Sequence, residues 1–172
     1  MNKMDRETFF TELKSPVGAL FLTSNGEAIT WLFMEKQKDG PKPTGDWRRD
    51  DASFREAAKQ LSAYFAGELT EFDLPLAPAG TQFQQCVWAE LQKIPYGSTI
   101  NYGELARRVG NPKASRAVGA ANGSNPISII IPCHRVIGSN NHLTGYGGGI
   151  ERKRFLLDLE AGVRARNQSR ER

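Results

Sequence analysis

The sequence predicts a mixed α/β chain in two parts: a small N-terminal α/β unit over residues 1–78, and a mostly helical unit with a helix-turn-helix over 79–172. Three observations point there. Three short apolar runs divided by turn residues open the chain. A Pro- and Ala-rich stretch, Leu74 to Gly80, interrupts it and reads as a linker. Beyond that stretch apolar residues recur at helical spacing. A chain of 172 residues holds one larger domain or two small ones, and its 39% hydrophobic and 24% charged residues fit a soluble protein with a core.

Residues 7–34 read as a β-meander. Phe9, Phe10 and Leu13, then Ala19 to Leu22, then Ile29 to Phe33 form the strands, with turns at Ser15 to Gly18 and Ser24 to Glu27. Lys36 to Asp50 reads as a loop. Asp51 to Ala66 reads as a helix, with Phe54, Ala58, Leu61 and Phe65 on one face and Gly67 at its C-terminal cap. No chemistry stands out in this half, which reads as a scaffold.

Thr81 and Gln84 make a capping box for the next helix. Phe83, Val87, Leu91 and Ile94 line its inner face, and Cys86 lies close enough to that face to be core filler. A third helix starts at Asn101-Tyr102-Gly103-Glu104, turns Leu105, Ala106 and Val109 inward and ends at Gly110. Asn111-Pro112 starts a fourth, running to Ala121, and the pair forms the helix-turn-helix. The fourth helix is built of small residues, Ala114, Ser115, Ala117, Gly119, Ala120 and Ala121, around one long side chain, Arg116. Such a surface suits close packing within the protein, or entry into a DNA groove with Arg116 reaching between bases. Thr144 to Gly149 lacks the ending of a phosphate loop and reads as a flexible flap. Glu151 to Glu160 closes the helical set, and the Arg-rich tail after Gly162 reads as frayed.

Charge is uneven. Residues 1–79 hold 10 Lys+Arg against 13 Asp+Glu, whereas residues 80–172 hold 13 against 6, a net +7 that suits a polyanion. No apolar run approaches the ~20 residues of a membrane span, and Met1 to Glu12 shows no signal core, so the expected location is cytoplasmic. Cys86, Cys133, His134 and His142 match no usual zinc spacing, so no metal is expected.

The stretch Ile127 to Ile131 reads as a buried strand that Pro132 stops, delivering Cys133 to its end with His134 alongside. A nucleophilic cysteine needs its thiolate, and the unperturbed thiol pKa is ~8.5. His134 is the histidine near enough in sequence to act as base. Neighbours in an extended chain point to opposite sides, so a bridging water is expected between them. Glu160 is the candidate acceptor on the far side of the imidazole. An inert buried cysteine is the other reading of these residues alone.

Pro132-Cys133-His134-Arg135-Val136, preceded by Asn125-Pro126, closely resembles the active-site signature of the O6-alkylguanine-DNA alkyltransferases. The resemblance extends over the Phe83 helix, Tyr102 to Ala106, Arg116 to Gly119, Gly145 to Gly149 and Leu156 to Glu160, nearly all of residues 80–162. The N-terminal half is compatible with that family's variable, ribonuclease-H-like domain.

The resemblance implies a bacterial-type, single-function DNA repair protein that consumes itself. Cys133 would take the alkyl group from O6 of guanine, with O4-alkylthymine as a second lesion, and keep it as a thioether. His134 would deprotonate Cys133 through water, Glu160 would orient His134, and Asn125 would brace the turn. Tyr102 would assist guanine as it leaves. Backbone groups at Cys133, Val136 and Gly147 would read the base, with Tyr146 and Lys153 completing the pocket. Arg116 would replace the flipped nucleotide, with Ala114, Ser115, Ala117 and Gly119 facing the minor groove. The implied partner is double-stranded DNA containing O6-alkylguanine. The protein would be a monomer in solution, away from membranes, with clustering on DNA left open. It would need no cofactor, because the thiol is the acceptor. Two departures stand out. Gly147 replaces a serine, and Ser128 a proline, of the mammalian form, implying a roomier and more polar pocket wall. Rival readings are a damage-binding relative, which would lack the cysteine; a helix-turn-helix regulator, which leaves Cys133, His134 and Glu160 unexplained; and a cysteine hydrolase, which would turn over.

Overall fold

In the computed structural model, residues 7–172 are described; the first six residues of the polar N-terminal segment lie outside them. Strands β1 (Thr8–Ser15), β2 (Gly18–Ser24) and β3 (Ile29–Met34) form the expected antiparallel meander. The segment expected as loop contributes a short strand, β4 (Trp47–Arg49), which pairs parallel to β1 and gives the order β3-β2-β1-β4. The cross-strand contact of Phe10 with Trp47, ring centroids 6.1 Å apart, helps hold this edge, a signal too short to show as periodicity. A 3-10 turn over Asp51–Phe54 leads into α1 (Arg55–Phe65). It buries Ala57, Leu61 and Tyr64, and Gly67 takes a positive φ just past its end, as a C-terminal cap requires.

The open edge of the sheet is closed by the rest of the chain. Ile29 N–H donates to Pro75 C=O at 2.9 Å, and Ala77 N–H to Ile29 C=O at 2.8 Å, so the expected linker is laid along β3. Farther along the same edge Leu32 N–H donates to Pro126 C=O at 2.9 Å, and Ser128 N–H to Leu32 C=O at 3.1 Å. One buried core therefore runs from Leu20 and Leu32 through Tyr64 and Trp88 to Ile127 and Val136.

Helix α2 (Gln82–Leu91) carries the expected capping box: Gln84 N–H donates to Thr81 Oγ1 at 3.1 Å and Thr81 N–H to Gln84 Oε1 at 2.9 Å. Its inner face is Val87, Trp88 and Leu91, followed by Ile94; Phe83 and Cys86 are exposed, contrary to expectation. Trp88 sets the rotation, since its Nε1–H donates to Ala121 C=O at 2.8 Å inside the core. Helix α3 (Tyr102–Arg108) starts from Asn101, whose Oδ1 accepts from Glu104 N–H at 2.8 Å, and buries Leu105 and Ala106. Helix α4 (Ser115–Gly123) begins later than expected, because Ala114 N–H donates to Asn111 C=O and residues 111–114 form a separate turn. It packs against α2 and α3.

The expected strand over 127–131 is absent. Ile127 makes one bridge to Leu32, and the chain then coils through Ile129 at φ +72°. Ile130 N–H donates to Ser128 C=O and Ile131 N–H to Ile127 C=O. The isoleucines are buried by the core around them rather than by sheet pairing, which sequence alone does not distinguish. Strands β5 (Ile100–Asn101) and β6 (Val136–Ile137) pair parallel, which joins the start of α3 to the segment just after Arg135. Helix α5 (Ile150–Arg170) runs far beyond Glu160. Its expected frayed tail is held by buried Val163, by Arg164 donating to Gly97 C=O at 3.2 Å and by Arg166 donating to Gly67 C=O at 2.5 Å.

Candidate active site

Cys133, His134 and Arg135 form one turn of 3-10 helix directly after the coil, not the end of a strand. Successive side chains on such a turn are roughly 120° apart rather than opposed, so the sequence argument from an extended chain does not hold. All three are buried.

Asn125 braces the coil that delivers them. Its Oδ1 accepts from Ile127 N–H at 3.0 Å and its Nδ2 donates to Ile131 C=O at 2.8 Å. A buried coil has no sheet or helix partners for its backbone, and one amide side chain supplies two of them. Asn122 does the same on the other side, its Nδ2 donating to Cys133 C=O at 3.4 Å.

Behind the turn stands Glu160. His134 Nε2 lies 2.6 Å from Glu160 Oε2, and Arg135 Nε donates to Glu160 Oε1 at 2.6 Å. The carboxylate and the imidazole are both essentially sealed from solvent, at 1% and 0% exposure. Arg135 also donates to Ile94 C=O at 2.8 Å and lies over the Tyr96 ring. Burial works to raise the Glu160 carboxyl, but the hydrogen bonds from His134 and Arg135 outweigh it and hold the group below its ordinary value. Burial pushes His134 below its ordinary value, against the opposing pull of Glu160. Glu160 is thus ionised and His134 neutral near pH 7, which places the imidazole proton on Nε2. Nδ1 is then a free lone pair, and among the described residues it has no hydrogen-bond partner.

A thiol that is to react as thiolate needs such a base. Burial pushes the Cys133 thiol above its ordinary value, against the smaller lowering effects of Asn125 and Lys153. Lys153 is fully buried without a carboxylate; its Nζ donates to Val136 C=O at 2.6 Å and Thr144 C=O at 2.9 Å, and burial lowers its pKa.

The flap lies over this centre. Tyr102 Oη donates to Thr144 C=O at 3.4 Å, and the Tyr102 ring stands beside Gly119 of α4 and Gly145 of the flap. Tyr146 turns its hydroxyl into the interior, where it has no described partner and burial raises its pKa well above normal. Gly147 is exposed, and Val136 is buried with its carbonyl taken by Lys153. On α4, Arg116 and Ala117 are exposed and Ala114, Ser115 and Gly119 half-buried. The structure therefore brings Cys133, His134, Glu160, Asn125, Val136, Lys153, Tyr102 and Tyr146 into one centre, with the Arg116 face of α4 beside Tyr102. Sequence reasoning assigned no role to Arg135 or Asn122. Arg135 lies directly after Cys133-His134, and Asn122 is the one amide in the run of small residues from Ala117 to Ser124. Among the described residues no group of three or more His, Cys, Asp or Glu side chains is arranged to hold a metal, and no helix is long and apolar enough to cross a membrane.

Two family models match, 6-O-methylguanine DNA methyltransferase, ribonuclease-like domain, over residues 8–78, and the DNA binding domain of the same family over 82–162. A methylated-DNA–protein-cysteine methyltransferase of Mycobacterium bovis is 56% identical over 151 residues, covering 88% of this chain and 91% of the relative. The protein of that name from Methanosarcina acetivorans is 51% identical over 152 residues, covering 88% and 97%. Among solved structures, that of Mycobacterium tuberculosis OGT in complex with DNA superposes with a TM-score of 0.85 at 53% identity, covering 90% of this chain and 94% of that one.

Proposed function

Because the chain belongs to the 6-O-methylguanine DNA methyltransferase family, we propose that Cys133 is its alkyl acceptor, in one irreversible transfer from O6-alkylguanine in duplex DNA. The protein is a methylated-DNA–protein-cysteine methyltransferase, a DNA-binding repair enzyme that moves a methyl group from DNA to a cysteine. The observation that carries the assignment to Cys133 is the buried relay behind it: a neutral His134 with Nε2–H on an ionised Glu160 and Nδ1 left to accept a proton. Cys86, by contrast, is exposed on α2.

In this reading a water carries the Cys133 proton to His134 Nδ1, and Glu160 stabilises the imidazolium. Sγ attacks the alkyl carbon; the S–C bond forms as the C–O6 bond breaks. Tyr102 gives a proton or hydrogen bond to N3 of the departing guanine; a proton so given is replaced from solvent, and the proton taken from Cys133 passes from His134 to solvent. The product is a thioether, which does not hydrolyse, so each molecule acts once. The thiol is the acceptor, and the scheme uses no cofactor.

The reacting carbon is out of reach inside a stacked duplex, so the base is extruded. Arg116 stands exposed on a helix of small side chains and takes the place of the flipped nucleotide, with Ala114, Ser115, Ala117 and Gly119 against the minor groove. Val136, Tyr146, Gly147 and Lys153 shape the pocket, residues 79–172 carry the chemistry and residues 1–78 support it. O4-alkylthymine presents the same electrophilic carbon and is the second substrate. Titration with a duplex holding one O6-methylguanine tests the scheme: repair is expected to stop at one equivalent per protein, and continued turnover would contradict it.

A further inference from the structure

Among the described residues three side chains donate to the flap, Tyr102, Lys153 and Arg152, and the last belongs to neither the relay nor the pocket. Arg152, in the first turn of α5, donates from Nε to Val17 C=O at 2.8 Å, and from Nη1 to Glu35 C=O at 2.7 Å and to Gly148 C=O at 3.3 Å. Val17 lies in the β1–β2 turn, Glu35 follows β3, and Gly148 is in the flap. One guanidinium thus joins two places on the N-terminal sheet to the loop over Cys133, a use of its planar donor fork that a lysine does not reproduce. The approach is close on both sides. A Cβ on Gly18, already at φ +98°, would lie 3.3 Å from Arg152 Nη2. A Cβ on Gly148 would lie 2.5 Å from the sulfur of Met34, so the flap meets the end of β3 at a distance only glycine allows. Next to it, Gln37 is held by Met34 N–H, which donates to its Oε1 at 3.1 Å, and its Nε2 would lie 3.1 Å from a Cβ on Gly147.

We infer that Arg152 is a positioning residue that clamps the flap to the N-terminal sheet, with Gln37 as backing for Gly147, so that the sheet sets how firmly the pocket holds the alkylated base. The inference rests on the alkyl-transfer reading for its substrate. The chemistry behind Cys133 does not pass through Arg152. Losing the clamp therefore weakens the grip on the base and leaves the transfer step intact.

Single-turnover reaction with free O6-methylguanine as a function of its concentration separates the two. Arg152→Ala is expected to raise the half-saturating concentration about tenfold, the usual scale for losing hydrogen bonds to a charged donor, with the maximal rate within about twofold. Arg152→Lys should fall between, and Arg154→Ala, on the exposed side of the same helix, should match wild type. Gln37→Ala, a half-buried change, should shift half-saturation in the same direction and covers the case in which Arg152→Ala does not fold. Amide exchange at Gly149, whose N–H donates to Tyr146 C=O at 2.9 Å, should quicken in Arg152→Ala and not in Arg154→Ala. Exchange needs no substrate, so it tests the clamp even if wild type failed to react, an outcome that would count against the alkyl-transfer reading alone. Unchanged half-saturation and unchanged exchange in both Arg152→Ala and Gln37→Ala would overturn the inference, as would a loss confined to the maximal rate.

Discussion

His134 Nε2 and Glu160 Oε2 lie 2.6 Å apart in a site closed to solvent, and the same carboxylate receives Arg135. The carboxylate fixes the imidazole tautomer and keeps an arginine charge satisfied in the interior. Under the proposed mechanism, catalysis and stability therefore meet at Glu160.

Glu160→Gln separates neither role cleanly but should damage both. It leaves Arg135 buried without a counter-charge, which typically costs about 3–5 kcal/mol. The alkyl-transfer rate should fall by about a hundredfold or more, since the base loses its orienting partner. Urea unfolding and single-turnover kinetics measure the two effects. A variant of wild-type stability and rate would show that the relay is not used.

Stability should fall as the solution is acidified, in two stages. His134 has a folded pKa below its ordinary 6.5, so below that value the unfolded chain binds a proton that the folded one refuses, and stability rises with pH through that window. Glu160 has a folded pKa below its ordinary 4.5, so its contribution, full above that value, is lost as pH falls toward the folded pKa. Denaturation midpoints across pH 4–7 should decline downward for wild type and flatten near 6 in His134→Gln. A midpoint independent of pH in wild type would refute the assigned charge states.

Much of this site was legible in the sequence and some was not. The grouping of Cys133, His134 and Glu160 was readable because a thiol, an imidazole and a later carboxylate are side-chain types that suit one relay, and the structure places His134 against Glu160. The coil around Ile129 was not, since Ile127 to Ile131 are buried in a way that imitates a strand. Trp88 overrode the regular spacing that would have turned Phe83 and Cys86 inward. The anchoring of α5 by Arg164 and Arg166 joins residues far apart in the chain, which local pattern does not report.

Arg116→Ala should impair repair in duplex DNA while leaving reaction with the free alkylated base intact. The loss on duplex should be about tenfold or more, because unstacking a base step costs a few kcal/mol. Equal loss on both substrates would remove Arg116 from base extrusion.

Cys133→Ser should bind duplex DNA as wild type does and accept nothing from it. Binding by fluorescence anisotropy, in a variant that keeps the wild-type circular dichroism, makes the check. Loss of binding in a folded variant would mean the thiol shapes the DNA surface instead of receiving the alkyl group.

The most direct test is peptide mass spectrometry after mixing the protein with a duplex that contains O6-methylguanine. One methyl group is expected, on the peptide holding Cys133, with none on Cys86 and activity ended once it is filled. A methyl group elsewhere, or repair that proceeds with Cys133 unmodified, would contradict the assignment.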